Sequence, residues 1–330
     1  MKALVYTNVQ ELIYSDVPEK VPSSGEAHVQ IEAAGICGSD LHAWSGHDSR
    51  RKPPLILGHE ACGTVVEGKH QEKRVVLNPL ITCNQCYDCL SGRPNLCPNR
   101  SMIGMTQPGC FAEYVTIPEQ CLLPIPEDMH LVAASLTEPA ATVVHATNLM
   151  IQVAHSPIQE GPVLIIGAGA VGLLSALFLQ FLGCKDVTIA DTNVNRLNKA
   201  KNAGVANIIN PLRTKAPENH YPAVIDAVGS NITRPSAVQA VRHGGVIMHI
   251  GLQEAEGVID ARKLTLSEIT FLGTYAYTEL DLKATIEHLH LNHFGDLAWV
   301  EKRSLKSGGP AFNDLHNGKV SSAKVTLIPD

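Results

Sequence analysis

The first 36 residues carry short apolar runs that proline and glycine interrupt. Within them, His28-Val29-Gln30-Ile31-Glu32-Ala33 alternates between polar and apolar residues with the period of a half-buried strand. Similar extended runs follow at 55–67, 110–115 and 122–126. This pattern predicts a β-rich first part of the chain, with a short helix at 39–44 and a longer helix that begins near residue 136.

From about residue 140, continuous apolar runs alternate with helical segments. The run Val163-Leu164-Ile165-Ile166 is wholly apolar, which is typical of a parallel strand that is covered on both faces. Helices are predicted at 173–182, 196–203, 235–242 and 281–292, and further strands at 187–191, 207–209, 223–228, 246–250 and 269–274. Such alternation predicts a doubly wound parallel sheet and places the chain in the α/β class. A last strand at 324–328 is expected to return to the β-rich part.

The length of 330 residues is enough for two domains with separate cores. We predict one domain from 1–139 together with 279–330, and a second from 140–278. The net charge of -6 argues against a nucleic-acid partner, because phosphate binding needs a basic face. No apolar stretch is long enough to span a membrane, and the first apolar run is too short for a signal peptide. The expected location is therefore cytoplasmic.

A glycine-rich turn, Gly167-Ala168-Gly169-Ala170-Val171-Gly172, lies between a predicted strand and a predicted helix. In that context the glycines allow backbone N–H groups to approach a pyrophosphate at the start of the helix. Asp191 ends the next strand and can accept hydrogen bonds from ribose hydroxyls, which favours NAD over NADP. Arg196 weakens this preference, since its guanidinium can stack on adenine or bind a phosphate. Gly229 and Gly251 end two later strands, where the dinucleotide would lie.

Two short segments contain the residue types that bind a catalytic metal: Cys37-Gly38-Ser39-Asp40-Leu41-His42 and Gly58-His59-Glu60. Zinc prefers thiolate, imidazole and carboxylate ligands, and a catalytic zinc keeps one position open. Asp40 is a candidate for orienting a zinc-bound histidine, although carboxylates are equally common at helix starts. The ordinary alternative for Cys37 and His59 is burial in the core without a metal. Glu138 is a further candidate, as a third ligand or as a carboxylate close to the metal.

Four of the nine cysteines are close together, at positions 83, 86, 89 and 97. Cys83, Cys86, Cys89 and Cys97 can close a tetrahedral four-thiolate zinc site, which has no open position and is therefore structural. Disulfides would suit a secreted chain, and iron–sulfur ligation is a second alternative.

Together these motifs resemble the zinc-containing medium-chain alcohol dehydrogenases, and within them the polyol and sugar branch that includes sorbitol dehydrogenases. The resemblance covers nearly the whole chain. It implies a GroES-like catalytic domain beside a Rossmann domain, two Zn²⁺ ions per chain, and NAD. It assigns Cys37 and His59 to the catalytic zinc, completed by Glu60 or by Glu138. It also implies a homodimer or homotetramer that pairs through the sheet edge near 269–274.

The same resemblance implies a function: hydride transfer from a secondary alcohol, such as a polyol, sugar alcohol or sugar acid, to NAD⁺. Ser39 and His42 would form a proton relay, and Thr142 would contact the nicotinamide. Two alternatives stay open, a threonine or amino-alcohol dehydrogenase and a non-catalytic NAD-binding protein with a structural zinc.

The substrate pocket is less well defined by the sequence. Trp44 and Tyr277 are candidate walls, although either can equally belong to the core. Ala276 stands where sorbitol dehydrogenases carry an arginine that holds the polyol, so sorbitol is a less favoured substrate. Arg50 and Arg51 are candidates for contact with an acidic or phosphorylated sugar, but a solvated loop is the simpler interpretation.

Overall fold

The computed structural model describes residues 1–329 and shows an α/β chain built around two large sheets. The strands are β1 (Lys2–Asn8), β2 (Glu11–Asp16), β3 (Glu26–Gly35), β4 (Leu55–Ile56), β5 (Glu60–Glu67), β6 (Arg74–Leu77), β7 (Leu80–Ile81), β8 (Ser101–Met102), β9 (Tyr114–Pro118), β10 (Leu122–Pro124), β11 (Val163–Ile166), β12 (Val187–Ala190), β13 (Asn207–Ile209), β14 (Tyr221–Asp226), β15 (Val241–His249), β16 (Thr270–Gly273), β17 (Val300–Ser304) and β18 (Lys324–Ile328). The helices are α1 (Gly38–Trp44), α2 (Tyr87–Leu90), α3 (Leu131–Ser135), α4 (Thr137–Val153), α5 (Ala170–Phe181), α6 (Val194–Asn202), α7 (Thr233–Ala240), α8 (Ala261–Leu266), α9 (Glu279–His290) and α10 (Gly308–His316).

The β-rich part contains a seven-stranded sheet with the order β10–β6–β5–β3–β18–β17, and β9 also pairs with β3. The last strand, β18, pairs antiparallel with β3, so that Leu327 lies opposite Ala34. As the sequence predicts, the C-terminal strand therefore returns to the first sheet. This pairing brings Lys324, the first residue of β18, next to the end of β3 and the start of α1.

The second large sheet is wholly parallel, with the order β13–β12–β11–β14–β15–β16. This doubly wound arrangement confirms the predicted fold class. One predicted helix is displaced: α7 ends at Ala240, and Val241 already belongs to β15. The reason is that Val241 pairs with Tyr221 of β14 and is completely buried between the sheet and its helices.

A continuous apolar core links the two sheets through α4, which packs against α5 on one side and α9 on another. The domain boundary that we predict after residue 139 falls in the first turn of α4, and it stays a prediction. No helix within residues 1–329 has both the length and the apolar character needed to cross a membrane.

Candidate active site

The short helix α1 positions the first group of predicted site residues. Cys37 caps the N-terminus of α1: its Sγ accepts a hydrogen bond from the backbone N–H of Ser39 at 3.5 Å, and its own N–H donates to Asp40 Oδ2 at 3.0 Å. Ser39 and His42 are three residues apart on this helix and therefore lie on the same face. Both line one cavity of about 500 Å³.

A tight turn before β5 delivers His59 and Glu60 to the same cavity. Gly58 has a φ of +94°, and a Cβ atom at this position would lie 2.6 Å from the Phe111 ring, so only glycine fits. His59 and Glu60 are both almost completely buried. One ligand atom from each of Cys37, His59 and Glu60 lies within 4.8 Å of the others. Residues 22 positions apart in the sequence thus form one cluster.

Asp40 lies next to this cluster and contacts His59. His59 Nδ1 lies 3.3 Å from Asp40 Oδ1, which leaves the Nε2 atom of the imidazole for a metal. Burial alone would raise the pKa of Asp40, but His59 and then Arg51 outweigh it and lower that pKa. Burial alone would also lower the pKa of His59, but Asp40 and Cys37 together raise it well above the usual range. The surroundings of His59 therefore favour a positive charge at this point.

The donor set fits a zinc ion. It supplies a thiol, an imidazole and a carboxylate, and Glu60 Oε1 is buried without a hydrogen-bond partner within residues 1–329. A buried carboxylate oxygen without a partner is costly unless a cation is bound to it.

Lys324, which the sequence did not single out, is the second partner of Glu60. Its ammonium group forms a very short ion pair with Glu60 Oε2 and donates to the Ile36 carbonyl at 3.0 Å. Lys324 lies 264 residues from Glu60, and it is 3% exposed. Burial would lower the pKa of Lys324, but Glu60 and Cys37 raise it, so the side chain stays charged. The pair places a cationic side chain against Glu60 at the edge of the metal cluster.

We expect Lys324→Met to lower the free energy of unfolding by roughly 3 kcal/mol, because it leaves the Glu60 carboxylate buried without its counter-charge. The double variant Glu60→Gln with Lys324→Met should recover most of that loss. Urea unfolding of both variants in zinc-containing buffer measures the difference. Lys2→Met is a matched control, since its ion pair with Asp16 is exposed and contributes little. Equal losses in the single and double variants would contradict this prediction.

Glu138 lines the same cavity from the first turn of α4 but lies outside the cluster of Cys37, His59 and Glu60. Burial, with Glu60 nearby, raises the pKa of Glu138 to about 7. Thr142, one turn further along α4, also lines the cavity. Tyr277 is buried and does not form a pocket wall; burial, and then the nearby Glu138, raise the pKa of its hydroxyl well above the usual range. Which carboxylate completes the metal site stays a prediction.

The four-cysteine lobe brings its sulfur atoms to the spacing of a metal site. Cys97 Sγ lies 3.5 Å from Cys83, Cys86 lies 3.5 Å from Cys89, and Cys83 lies 4.0 Å from Cys89. Zn–S bonds of about 2.3 Å in a tetrahedron separate the sulfurs by about 3.8 Å, so the lobe fits zinc. None of the nine cysteines forms a disulfide bond.

The ionisation of these thiols also favours a cation. Backbone N–H groups of Gln85 and Cys86 lower the pKa of Cys83 to about 6. Burial and the neighbouring thiols raise the pKa of Cys89 to about 12. Four thiols this close cannot all ionise without a bound cation, which is the behaviour of a thiolate metal site.

The residues that the sequence predicts to bind the dinucleotide line the same cavity. Gly167, Gly169, Ala170, Val171, Gly172, Asp191 and Arg196 all line it. A Cβ atom on Gly172 would lie 1.8 Å from the Gly167 carbonyl, so the turn packs as closely as a pyrophosphate-binding turn requires. Asp191 Oδ2 accepts a hydrogen bond from the Ala168 N–H at 2.7 Å and so fixes the turn.

Besides Tyr277, three predicted positions do not line the cavity in the structure. Gly229 and Gly251 do not line the cavity: the ends of β14 and β15 approach so closely that a Cβ on Gly229 would lie 1.9 Å from the Gly251 carbonyl. The adjacent residues Val228 and Leu252 line it instead. Trp44 is also wrong as a pocket wall, because it is 1% exposed and packs against Phe312.

Arg51 is not on a solvated loop, contrary to the simpler interpretation. Its side chain is completely buried, and it donates hydrogen bonds to the Gly104 carbonyl at 2.9 Å and to Ser39 Oγ at 3.1 Å. It also donates to Asp48 and lies 4.0 Å from Asp40. Arg51 therefore connects Ser39 to Asp40, the carboxylate beside His59.

Comparisons with known proteins agree with this geometry. Residues 23–127 match the family described as "Alcohol dehydrogenase GroES-like domain", and residues 170–290 match "Zinc-binding dehydrogenase". The L-galactonate-5-dehydrogenase of Escherichia coli K12 is 32% identical over 85% of this chain and 85% of its own length. The L-threonine 3-dehydrogenase of Stenotrophomonas maltophilia K279a is 31% identical over 83% and 84%.

Solved structures show the same fold. Acetophenone reductase of Geotrichum candidum, in complex with NAD, has a TM-score of 0.88 and 26% identity, and covers 99% of this chain and 96% of its own. A zinc-binding dehydrogenase of Sinorhizobium meliloti 1021, bound to NADP, has a TM-score of 0.87 and 25% identity over 99% of both chains. The chain belongs to the zinc-containing medium-chain alcohol dehydrogenase family.

Proposed function

We propose that this protein oxidises a secondary hydroxyl group of an open-chain polyol or sugar acid and uses NAD⁺ as the hydride acceptor. The observation that carries the proposal is one cavity that joins the Cys37–His59–Glu60 cluster, the Ser39–His42 face of α1 and the glycine turn of the parallel sheet. The similarity to a sugar-acid dehydrogenase supports the substrate class. Asp191 supports NAD over NADP, because its carboxylate would repel a 2′-phosphate.

Bound at Cys37, His59 and either Glu60 or Glu138, zinc would act as a Lewis acid that lowers the pKa of the substrate hydroxyl, and NAD⁺ would accept the hydride. Side chains of the protein carry the hydroxyl proton of the substrate away. Arg51 donates to Ser39 Oγ, which occupies one lone pair of the serine and leaves the other for the substrate proton. His42, on the same face of α1, takes the proton onward to solvent.

The rate should depend on the protonation of His42. Burial, and then the neighbouring His47, lower the pKa of His42 below its usual value of 6.5. The neutral imidazole therefore persists down to mildly acidic pH, and kcat should fall with an inflection below pH 6.5 as the base becomes protonated. His42→Gln should lower kcat by about 10²-fold and remove that inflection. Stopped-flow NADH absorbance between pH 5 and 9 measures both.

His47→Gln is the matched control for this pH profile. It should keep kcat and move the inflection to higher pH, because it removes the neighbouring histidine that lowers the pKa of His42. An unchanged acid inflection in His42→Gln would contradict the relay.

A substrate panel tests the proposed function. The zinc-loaded protein is mixed with NAD⁺ or NADP⁺ and with galactitol, sorbitol, L-galactonate, galactitol 1-phosphate or L-threonine, and NADH or NADPH formation is followed. We expect turnover on polyols or sugar acids with NAD⁺ and little with NADP⁺. Turnover on threonine alone would favour the amino-alcohol alternative, which the similarity to threonine dehydrogenases supports.

We also propose that the protein works in the cytoplasm as a homodimer or homotetramer. The free state of its nine thiols supports a reducing compartment. The exposed edge of the parallel sheet at β16 supports pairing between two copies of the chain.

A further inference from the structure

Arg50 lines the active-site cavity together with Ser39 and His42. It has the opposite environment to its neighbour Arg51. The side chain of Arg51 is completely buried, whereas that of Arg50 is 57% exposed. Met102, Met105 and Tyr275 line the same cavity. Arg50 therefore stands at the part of the cavity that is open to an entering substrate.

Asp48 fixes the guanidinium of Arg50 but does not occupy all of its hydrogen-bond donors. Its Nε donates to Asp48 Oδ1 at 2.8 Å and its Nη2 donates to Asp48 Oδ2 at 3.0 Å, a two-point contact that fixes the plane of the group. The third nitrogen, Nη1, has no hydrogen-bond partner within residues 1–329. A preorganised guanidinium with a free edge is the arrangement that recognises a carboxylate or a phosphate.

The local charge balance leaves Arg50 attractive to an anion. The single carboxylate of Asp48 accepts hydrogen bonds from both Arg50 and Arg51, so the three side chains carry a net charge of about +1. The next carboxylate, Asp40, lies against His59 and Arg51 and is fully buried, and it makes no contact with Arg50 within the described chain.

Two of the other cations that line the cavity are already engaged. Arg51 is bound to Gly104, Asp48 and Ser39, and Lys324 is bound to Glu60 and Ile36. Arg196 lies in the first turn of α6, in the part of the chain that carries the glycine turn, and its buried Nε has no hydrogen-bond partner within residues 1–329. The sequence assigns it to the dinucleotide and not to the substrate. Ala276 offers no charge. Among the arginines near Ser39 and His42, Arg50 is thus the one with a donor available to a substrate.

From this geometry we propose that Arg50 binds an anionic end group, a carboxylate or a phosphate, of the open-chain substrate. This inference rests on the proposed function and narrows its substrate class: the enzyme selects sugar acids or sugar-alcohol phosphates over neutral polyols. The free Nη1 edge donates to the anion while Asp48 holds the guanidinium plane. A neutral polyol gains no such charged contact.

Isothermal titration calorimetry on the zinc-loaded enzyme–NADH complex tests this inference without turnover. The probes are L-galactonate, galactitol 1-phosphate and neutral galactitol, which share a six-carbon chain. Arg50→Gln should weaken binding of the preferred anion by about 10–100-fold and change galactitol binding by less than about threefold. Arg50→Lys should retain part of the affinity. Comparison of the two anions identifies the end group as carboxylate or phosphate.

Lys52→Gln is the matched control, because Lys52 is a nearby exposed cation that does not line the cavity. It should leave all three affinities unchanged. Equal affinities for the three probes in the wild-type protein, no detectable binding, or equal losses for all three in Arg50→Gln would overturn the inference. So would a matching loss of NADH affinity, which would place Arg50 at the cofactor.

Turnover separates this inference from the proposed function. A wild-type enzyme that oxidises none of the panel substrates counts against the proposed function, while the binding constants still decide the role of Arg50. A wild-type enzyme that oxidises polyols or sugar acids, with no selective effect of Arg50→Gln, leaves the function intact and removes the inference.

Discussion

Replacing Cys37 with alanine is expected to lower the rate of alcohol oxidation by about three orders of magnitude or more. Loss of one thiolate from the Cys37–His59–Glu60 cluster leaves an imidazole and a carboxylate that is already paired with Lys324. Such a set holds zinc poorly, and the Lewis-acid contribution of several kcal/mol disappears with the metal. The four-cysteine lobe is separate, so zinc content should fall from two ions per chain to one.

The measurement combines metal analysis with the NADH assay on the best panel substrate. Cys121→Ala is the matched control: Cys121 is a buried cysteine whose thiol donates to the Leu80 carbonyl, and it belongs to neither metal cluster. Its variant should keep both zinc ions and nearly full activity. Cys37→Ala with two zinc ions and undiminished turnover would remove this cluster from the mechanism.

Glu60 and Glu138 can be distinguished by the same two readouts. If Glu60 is the ligand, Glu60→Gln should lose the second zinc while Glu138→Gln keeps it. The geometry favours Glu60, because its carboxylate lies in the cluster and retains a buried oxygen without a hydrogen bond within residues 1–329.

The parts of the site that follow from local patterns are the parts that sequence predicts well. The glycine turn lies between β11 and α5, and Asp191 follows β12, where the strand and helix periods place them. The spacing of the four cysteines is similarly local. In each case the neighbouring residues in the chain determine the geometry, so no knowledge of distant contacts is needed.

Lys324 and Arg51 show what local patterns miss. Lys324 reaches Glu60 because β18, near the C-terminus, pairs with β3, near the N-terminus. A single lysine at the start of a predicted strand gives no indication of that pairing. Arg51 lies in a polar stretch that resembles a solvated loop. It is buried because three separate acceptors, Asp48, Ser39 and the Gly104 carbonyl, satisfy its guanidinium. Such burial depends on tertiary contacts.

The errors at Gly229 and Trp44 have the same origin. Gly229 lies three residues after the end of β14, where a Cβ would clash with the Gly251 carbonyl, and the adjacent Val228 lines the cavity instead. Trp44 lies at the end of α1, and its orientation is decided by Phe312 on α10. A sequence pattern indicates which element a residue belongs to more readily than which neighbour covers it.

Cys97→Ser is expected to release the structural zinc and unfold the lobe of residues 83–100. This lobe has almost no core of its own: α2 contains no buried residue, and Tyr87 and Leu90 are largely exposed. Its order must therefore come from metal binding, which contributes on the order of 10 kcal/mol in comparable thiolate sites. Serine is a much poorer zinc ligand than the buried thiolate it replaces.

The effect should extend to the active site, because the lobe supports one wall of the cavity. Asn95 Nδ2 donates to the Tyr275 carbonyl at 2.8 Å, and the Arg100 guanidinium lies 4.7 Å from the centre of the Tyr275 ring. Tyr275 itself lines the cavity. Loss of the lobe should therefore raise KM for the substrate as well as lower the melting temperature.

Metal analysis, limited proteolysis with mass mapping, and thermal unfolding measure these consequences together. Cys97→Ser should bind one zinc ion per chain, be cleaved first between residues 83 and 100, and melt at a lower temperature than the wild-type protein. Cys121→Ser, the same change at a buried cysteine outside both clusters, should retain two zinc ions and resist cleavage in the lobe. If Cys97→Ser keeps both ions and the wild-type cleavage pattern, the four sulfurs do not form a structural metal site, and the support of Tyr275 must come from its direct contacts alone.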